Sequence, residues 1–196
     1  MANKQGQEVS DTKDIDYGPL RELVGVWKGG KGLDVAPERD GAENNPYYET
    51  ITFTAIGDVS NAKSQVLAAV HYRQIVQRKS NDKVFHDETG YWMWDARSGV
   101  IMQSLTIPRG VSVLAGGTHS GEKHTDGSIV LDVSAGLNDK DWQIIQSPFM
   151  QENARTTKFH HRITVGNGKL AYSETTIVEI YGKVFEHTDR NELIRQ

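Results

Sequence analysis

The sequence predicts an all-β protein, a roughly ten-stranded antiparallel up-and-down β-barrel with a short N-terminal helical plug. Segments rich in Val, Ile, Thr, Tyr, Phe and Trp recur along most of the chain. Short runs of turn-forming residues separate them, which predicts hairpins between antiparallel neighbours. Closure removes the unpaired edges of such a meander, and a barrel of about ten strands is wide enough to enclose a cavity.

The first element is a short helix. Residues 1–16 are polar and predict a disordered N-terminal tail, so residues 17–196 form the single predicted domain, a ligand-binding β-barrel. In 19-PLRELVG-25, proline suits a first helical turn and glycine suits its end. We expect one or two turns that plug the barrel, with Leu20, Leu23 and Val24 facing inward.

The strands follow in order, separated by glycine-rich and proline-containing turns. Two stretches, 32–46 and 136–153, lack clear periodicity and are predicted as long connections, the second with a short strand near Trp142–Gln146. The predicted strands are Val24–Lys31, Tyr47–Gly57, Ser64–Val76, Val84–Asp95, Gly99–Pro108, Val111–Thr118, Gly127–Ala135, Arg155–Val165, Lys169–Tyr181 and Lys183–Ile194.

Composition narrows the functional classes. The formal net charge is −4 and no basic stripe is present, which argues against a nucleic-acid partner. The chain has no cysteine, so a metal site would use His, Asp, Glu, Tyr or Met. No segment reads as a signal peptide or a membrane span, so a cytoplasmic location and no membrane partner are expected.

The opening of the barrel carries a first resemblance. Gly25-Val26-Trp27, followed by further glycines, resembles the opening of lipocalin and fatty-acid-binding-protein barrels of the calycin type. In those folds a tryptophan on the first strand packs under a basic residue of the last strand. Arg190 or Arg195 would serve here through a cation–π contact.

Four stretches, taken together, resemble the nitrobindin family of haem-binding barrels. They span nearly the whole predicted barrel in the same order as in that family. They are 25-GVWKGGKG-32, 49-ETITF-53, 86-HDETGYWMWDARSGVIMQSLTIPRGVSVLAGG-117 and 187-HTDRNELIR-195. The resemblance implies a divergent branch, since Lys31 replaces a signature glycine and the last strand is polar after its histidine.

The resemblance implies haem b as the cofactor and His187 as the metal ligand. It also aligns Gly25, Trp27 and Gly29 with the signature opening of the cofactor-binding barrel. The activity that it implies is nitric oxide binding and isomerisation of peroxynitrite to nitrate at a ferric haem. A homodimer is left open.

His187 has suitable chemistry for this role. A neutral imidazole binds haem iron with one nitrogen, and an acceptor orients the other nitrogen. Strand alternation puts Phe185, His187 and Asp189 on one face, so Asp189 is the predicted acceptor. Without the resemblance, His187 would read as a polar strand residue bonded to Asp189 or Glu186.

Two other functions stay open. One is a non-catalytic carrier that holds a hydrophobic or carboxylated small molecule in the cavity. The other is a non-haem enzyme that uses His187, Asp189 and Arg190 as acid, base and anion-binding groups.

Several further residues have both a structural and a functional interpretation. Alternation lets His86 and Glu88 converge, as a structural pair or as metal ligands. His160 and His161 must face opposite sides. Arg109 lies in a turn, either solvated or paired with a ligand carboxylate at the mouth.

Overall fold

A computed structural model describes residues 15–196. Most of the predicted tail therefore lies outside the described residues. A 3-10 helix spans Gly18–Leu23 and a short α-helix, α1, spans Pro148–Asn153. The strands are β1 Gly25–Glu38, β2 Gly41–Asn61, β3 Gln65–Arg78, β4 Val84–Asp95, β5 Val100–Ile107, β6 Val111–Thr118, β7 Ile129–Gly136, β8 Ile144–Gln146, β9 Ala154–Gly166, β10 Lys169–Ile180 and β11 Lys183–Arg195.

Ten of these strands close into an antiparallel barrel, which confirms the predicted fold class. Each strand pairs with its neighbour in the chain, β7 pairs with β9, and β1 pairs with β11 to close the ring. The short strand β8 pairs with β6 outside the ring. No helix within residues 15–196 is long and apolar enough to cross a membrane.

The 3-10 helix plugs one end of the barrel, as predicted. Leu20 and Leu23 are fully buried, and the Trp27 indole Nε1 donates a hydrogen bond of 2.6 Å to the Leu23 carbonyl. The Arg195 guanidinium lies 4.7 Å from the centre of the Trp27 ring. This cation–π contact joins the first strand to the last and identifies Arg195 as the basic partner.

The prediction of a long loop over residues 32–46 is wrong. β1 continues to Glu38 and β2 begins at Gly41, so a tight hairpin replaces the loop. The register of β1 shifts between Gly29 and Gly32. Such a bulge moves the inward-facing positions by one residue, from Trp27 before it to Asp34 after it. Because the parity changes within the strand, its hydrophobic alternation cannot be followed in the sequence.

The second predicted connection, 136–153, contains two short elements. The strand β8 confirms the one predicted near Trp142–Gln146, while α1 was not predicted. The Ser147 side chain caps this helix by accepting a hydrogen bond from the Met150 backbone N–H at 3.3 Å. The helix covers the start of β9, close to the open end of the barrel.

Candidate functional site

A cavity of about 360 Å³ lies at the end of the barrel opposite the 3-10 helix. We call this end the mouth; the hairpin turns 39–40, 79–83, 108–110 and 181–182 surround it. Much of the wall is apolar, with aliphatic and aromatic side chains from six strands. They are Val76, Phe85, Leu105, Ile107, Val111, Val113, Phe159, Val178 and Ile180. A largely apolar cavity with a few polar groups is the usual form of a small-molecule site.

The structure places His187 and Asp189 on this wall. Both project from β11, at alternate positions on the face that points into the barrel. The His187 Nε2 atom lies 2.7 Å from Asp34 Oδ1 and 3.3 Å from Asp189 Oδ2. The histidine ring is therefore held between two carboxylates, of which Asp34 makes the closer contact.

Asp34 was not predicted from the sequence as a site residue. It lies on β1 beyond the bulge, where it pairs in register with Asp189 of β11. Only 3% of Asp34 is exposed, and its Oδ2 accepts a hydrogen bond of 2.9 Å from Asn45 Nδ2. The signal that could have identified it is the inward alternation of Asn45, Tyr47 and Glu49 on β2, which predicts a strand partner for residues 32–38.

The two carboxylates favour a protonated His187. Burial lowers the pKa of His187, but the hydrogen bond to Asp34 and the negative charges of Asp189 and Asp34 outweigh it, so the pKa is raised. Burial also raises the pKa of Asp189 to about 6, against the opposing effect of the His187 charge. A metal ion bound here would replace the imidazole proton.

A second histidine lies on the same wall. His86 Nε2 lies 3.4 Å from Glu88 Oε2, so these two side chains converge as predicted. Glu88 also accepts a hydrogen bond of 2.5 Å from the Tyr72 hydroxyl. Burial lowers the pKa of His86, but the Glu88 carboxylate more than compensates and the pKa is raised.

Beneath the cavity lies a buried polar network that was not predicted from the sequence. Glu49 accepts hydrogen bonds from Asn191 Nδ2 at 2.7 Å, Gln74 Nε2 at 2.7 Å and the Tyr172 hydroxyl at 3.2 Å. Tyr172 in turn shares a hydrogen bond of 2.6 Å with Tyr47. Such satisfied networks fix side-chain positions, and this one forms a rigid floor for the site.

His161 occupies the barrel interior near this network. Its Nδ1 lies 2.9 Å from Gln103 Oε1, while its Nε2 is buried and has no hydrogen-bond partner within residues 15–196. Burial lowers the pKa of His161 to about 4, so the ring is neutral at pH 7. His160 faces outward and pairs with Asp132, in agreement with the predicted split of this pair.

The other predicted site residues lie away from the cavity wall. Gly25, Trp27 and Gly29 are at the closed end or on the first part of β1, where Trp27 packs in the core. A Cβ atom at Gly29 would lie 2.5 Å from the Glu192 carbonyl oxygen, so this glycine permits close approach of β1 and β11. Arg190 is exposed on the outer face of β11.

The residues present fit a His-ligated haem. Asp34 engages Nε2 of His187, and no hydrogen bond forms at Nδ1 among the described residues, so one ring nitrogen stays free to bind a metal. One imidazole nitrogen and two carboxylate oxygens, from Asp34, His187 and Asp189, also lie within 4.8 Å of one another. Mixed nitrogen and oxygen donors of this kind can hold a non-haem cation as well.

Comparisons with known proteins agree with this description. The chain matches the crystal structure of Rv2717c from M. tuberculosis with a TM-score of 0.69 and 22% sequence identity, over 90% of this chain and 94% of that one. This likeness shows that the two proteins share a fold. No curated protein matches the chain in sequence.

A family model provides the assignment. The model for the THAP4-like, heme-binding beta-barrel domain matches residues 16–195, which is nearly the whole described chain. This match supports haem as the cofactor and confirms the nitrobindin-like resemblance drawn from the sequence. The chain therefore belongs to the family of THAP4-like haem-binding β-barrel domains, and its closed barrel and its cavity at the mouth agree with this assignment.

Proposed function

We propose that the protein binds haem b in the barrel cavity with His187 as the iron ligand, binds nitric oxide there and isomerises peroxynitrite to nitrate. The observation that carries the proposal is the His187 ring on the cavity wall, where Asp34 holds Nε2 at 2.7 Å and Nδ1 has no hydrogen bond to any residue from 15 to 196. Metal-bound histidines in proteins commonly donate their second N–H to a carboxylate in this way.

The chain's own residues prepare this site in two ways. Asp34 fixes the orientation of the His187 ring and increases its basicity as a ligand. The aliphatic side chains on the wall, including Leu105, Val113 and Val178, give the remaining cavity space an apolar lining that disfavours bound water. Bound haem would supply a ferric iron with one open coordination position for nitric oxide or peroxynitrite.

His86 is suited to receive an anionic substrate. The neighbouring Glu88 raises the pKa of His86, which favours the imidazolium form. Peroxynitrite is an anion, and an imidazolium on the cavity wall both attracts it and donates a hydrogen bond. Isomerisation to nitrate consumes no proton overall, so this group needs to position charge without releasing a proton.

Titration of the purified protein with hemin, followed by absorption spectroscopy, tests the cofactor assignment. We expect a His-ligated Soret band in the wild type and in His160→Ala, whose ring lies outside the barrel. The band should be altered or absent in His187→Ala, and added imidazole should restore it in His187→Gly. If His187→Ala gives the same spectrum as the wild type, His187 is not the iron ligand.

Stopped-flow mixing of the haem-loaded protein with peroxynitrite tests the reaction. The expected result is faster decay of peroxynitrite with an increased yield of nitrate relative to nitrite, and His86→Gln should slow the decay. Decay at the rate given by buffer and free hemin would refute the isomerase activity while leaving haem binding intact.

A second candidate, a carrier for a carboxylated apolar molecule, is favoured by the guanidinium groups of Arg78 and Arg109 on the apolar cavity wall. Native mass spectrometry of protein purified from cells separates the two functions. Haem as the bound mass supports the first proposal, and a fatty acid or another carboxylated molecule in its place supports the carrier.

A further inference from the structure

Two arginines meet at the mouth of the cavity. Arg78 ends β3, and Arg109 lies in the turn between β5 and β6; both side chains line the cavity. Phe85 positions them together. The Arg109 Nη2 atom donates a hydrogen bond of 2.9 Å to the Phe85 carbonyl, and the Arg78 guanidinium lies 4.8 Å from the centre of the Phe85 ring.

Neither guanidinium pairs with a carboxylate within residues 15–196. Other arginines of the barrel do pair with carboxylates: Arg73, Arg155 and Arg162 each form an ion pair on the outer surface. The Nε atom of Arg78 is buried and has no hydrogen-bond partner within those same residues. A buried donor of this kind is costly unless a ligand supplies the acceptor.

The charge within the cavity is asymmetric. Four acidic side chains, Asp34, Glu88, Glu174 and Asp189, line the same cavity as the two arginines. The two histidines on the wall, His86 and His187, each contact one of these carboxylates, whereas neither arginine does so among the described residues. A ligand carboxylate is therefore attracted most strongly to the arginines.

We propose that Arg78 and Arg109 bind the carboxylates of the cavity ligand at the mouth and so fix its orientation. The ligand class is a flat apolar molecule with two carboxylates on one edge, and the two propionates of haem b have this arrangement. The arginine fork suits carboxylate recognition because it donates parallel hydrogen bonds. The identity of the ligand rests on the function proposed above, whereas the carboxylate recognition rests on the arginines alone.

Binding of ferric protoporphyrin IX and of its dimethyl ester tests the proposal. Arg78→Gln and Arg109→Gln should each weaken binding of the free acid about tenfold, as expected for loss of a charge-assisted hydrogen bond. The ester should bind the wild type weakly and respond little to either substitution. Arg190→Gln, on the outer surface, is the matched control and should bind the free acid as the wild type does.

Arg78→Lys guards against loss of folding, because it keeps the charge and the packing stem but removes the fork. It should fold as the wild type does and bind the free acid with intermediate affinity. Equal affinity of the free acid for the wild type and for the Arg78→Gln/Arg109→Gln double variant would overturn the proposal. Equal weakening of acid and ester binding by that double variant would also overturn it.

Metal-free protoporphyrin IX separates this inference from iron ligation. Its affinity should depend on both arginines and be unchanged in His187→Ala. If hemin shows no His187-dependent band while the metal-free acid still requires the arginines, the haem function fails and the carboxylate site stands. The reverse outcome, ligation by His187 without any effect of the arginines, rejects the carboxylate site alone.

Discussion

The Asp34 Oδ1 and His187 Nε2 atoms lie 2.7 Å apart, although 153 residues separate them in the chain. The pairing of β1 with β11, which closes the barrel, brings them together. An ionised carboxylate can only accept a hydrogen bond, so Nε2 carries the proton in this contact. The barrel closure and the predicted iron ligand thus depend on the same pair of strands.

Replacing Asp34 tests its role as the orienting partner of His187. We expect Asp34→Asn to weaken hemin binding by about 10- to 100-fold, the usual cost of losing the partner of a metal-bound histidine. The reduction potential of the bound iron should rise, because the lost negative charge favoured the ferric state. Hemin titration and spectroelectrochemistry measure the two effects.

Asp132→Asn provides the control for that experiment. Asp132 also contacts a histidine, His160, at 2.8 Å, but it does so on the outer surface. Its substitution should change neither the hemin affinity nor the potential. If Asp34→Asn behaves like Asp132→Asn in both measurements, Asp34 does not tune the ligand.

Glu49 predicts a stability that falls with rising pH. Burial raises its pKa to about 7, despite hydrogen bonds from Asn191, Gln74 and Tyr172 that lower it. The folded state therefore holds a proton that the unfolded chain has lost, and the contribution to stability disappears as pH rises through about 7. Between pH 5 and 7 this loss is about 1.4 kcal/mol per pH unit at most.

Urea unfolding at several pH values measures the Glu49 effect. The free energy of unfolding of Glu49→Gln, relative to that of the wild type, should increase as the pH rises over this range. Glu152→Gln, on the exposed face of α1, should follow the wild-type profile. A constant difference between Glu49→Gln and the wild type at every pH would show that Glu49 does not titrate in this range.

His161 predicts the opposite dependence at acid pH. Its pKa is lowered to about 4 by burial, so the unfolded chain takes up a proton that the folded protein excludes. Stability is present above about pH 6.5 and is lost as the pH falls toward 4. Because a shift of one pKa unit corresponds to about 1.36 kcal/mol, the total loss of stability is about 3 kcal/mol.

A non-titrating variant isolates this contribution. His161→Phe should remove the acid-induced loss, so its free energy of unfolding relative to the wild type should increase as the pH falls from 7 to 4. His160→Gln, one position away on the outer face, should keep the wild-type acid profile. Parallel profiles for His161→Phe and the wild type would argue against a neutral, buried His161.

The sequence was sufficient to predict the barrel but only part of the site. His187 and Asp189 could be placed on one face, because β11 alternates without interruption. Asp34 could not, because the bulge between Gly29 and Gly32 changes the parity of β1. Glu49 and its hydrogen-bond donors were missed for a different reason. Period-two alternation predicts that polar side chains face solvent, whereas these polar side chains face the interior of the barrel.

Trp27 offers a test of whether the signature opening acts on the cofactor or on the fold. It is fully buried, donates a hydrogen bond to Leu23 and packs beneath Arg195. Truncating a buried tryptophan typically costs about 3–5 kcal/mol, and losing an exposed cation–π partner costs about 0.5–1 kcal/mol. We therefore expect Trp27→Ala to destabilise the barrel strongly and Arg195→Ala to destabilise it slightly.

Hemin affinity, measured under conditions where each variant stays folded, completes this test. Because Trp27 lies at the closed end and His187 lines the cavity at the mouth, neither Arg195→Ala nor the milder Trp27→Phe should change the affinity or the Soret band. Loss of hemin affinity in a fully folded Trp27→Phe protein would instead assign the opening motif a direct role at the cofactor.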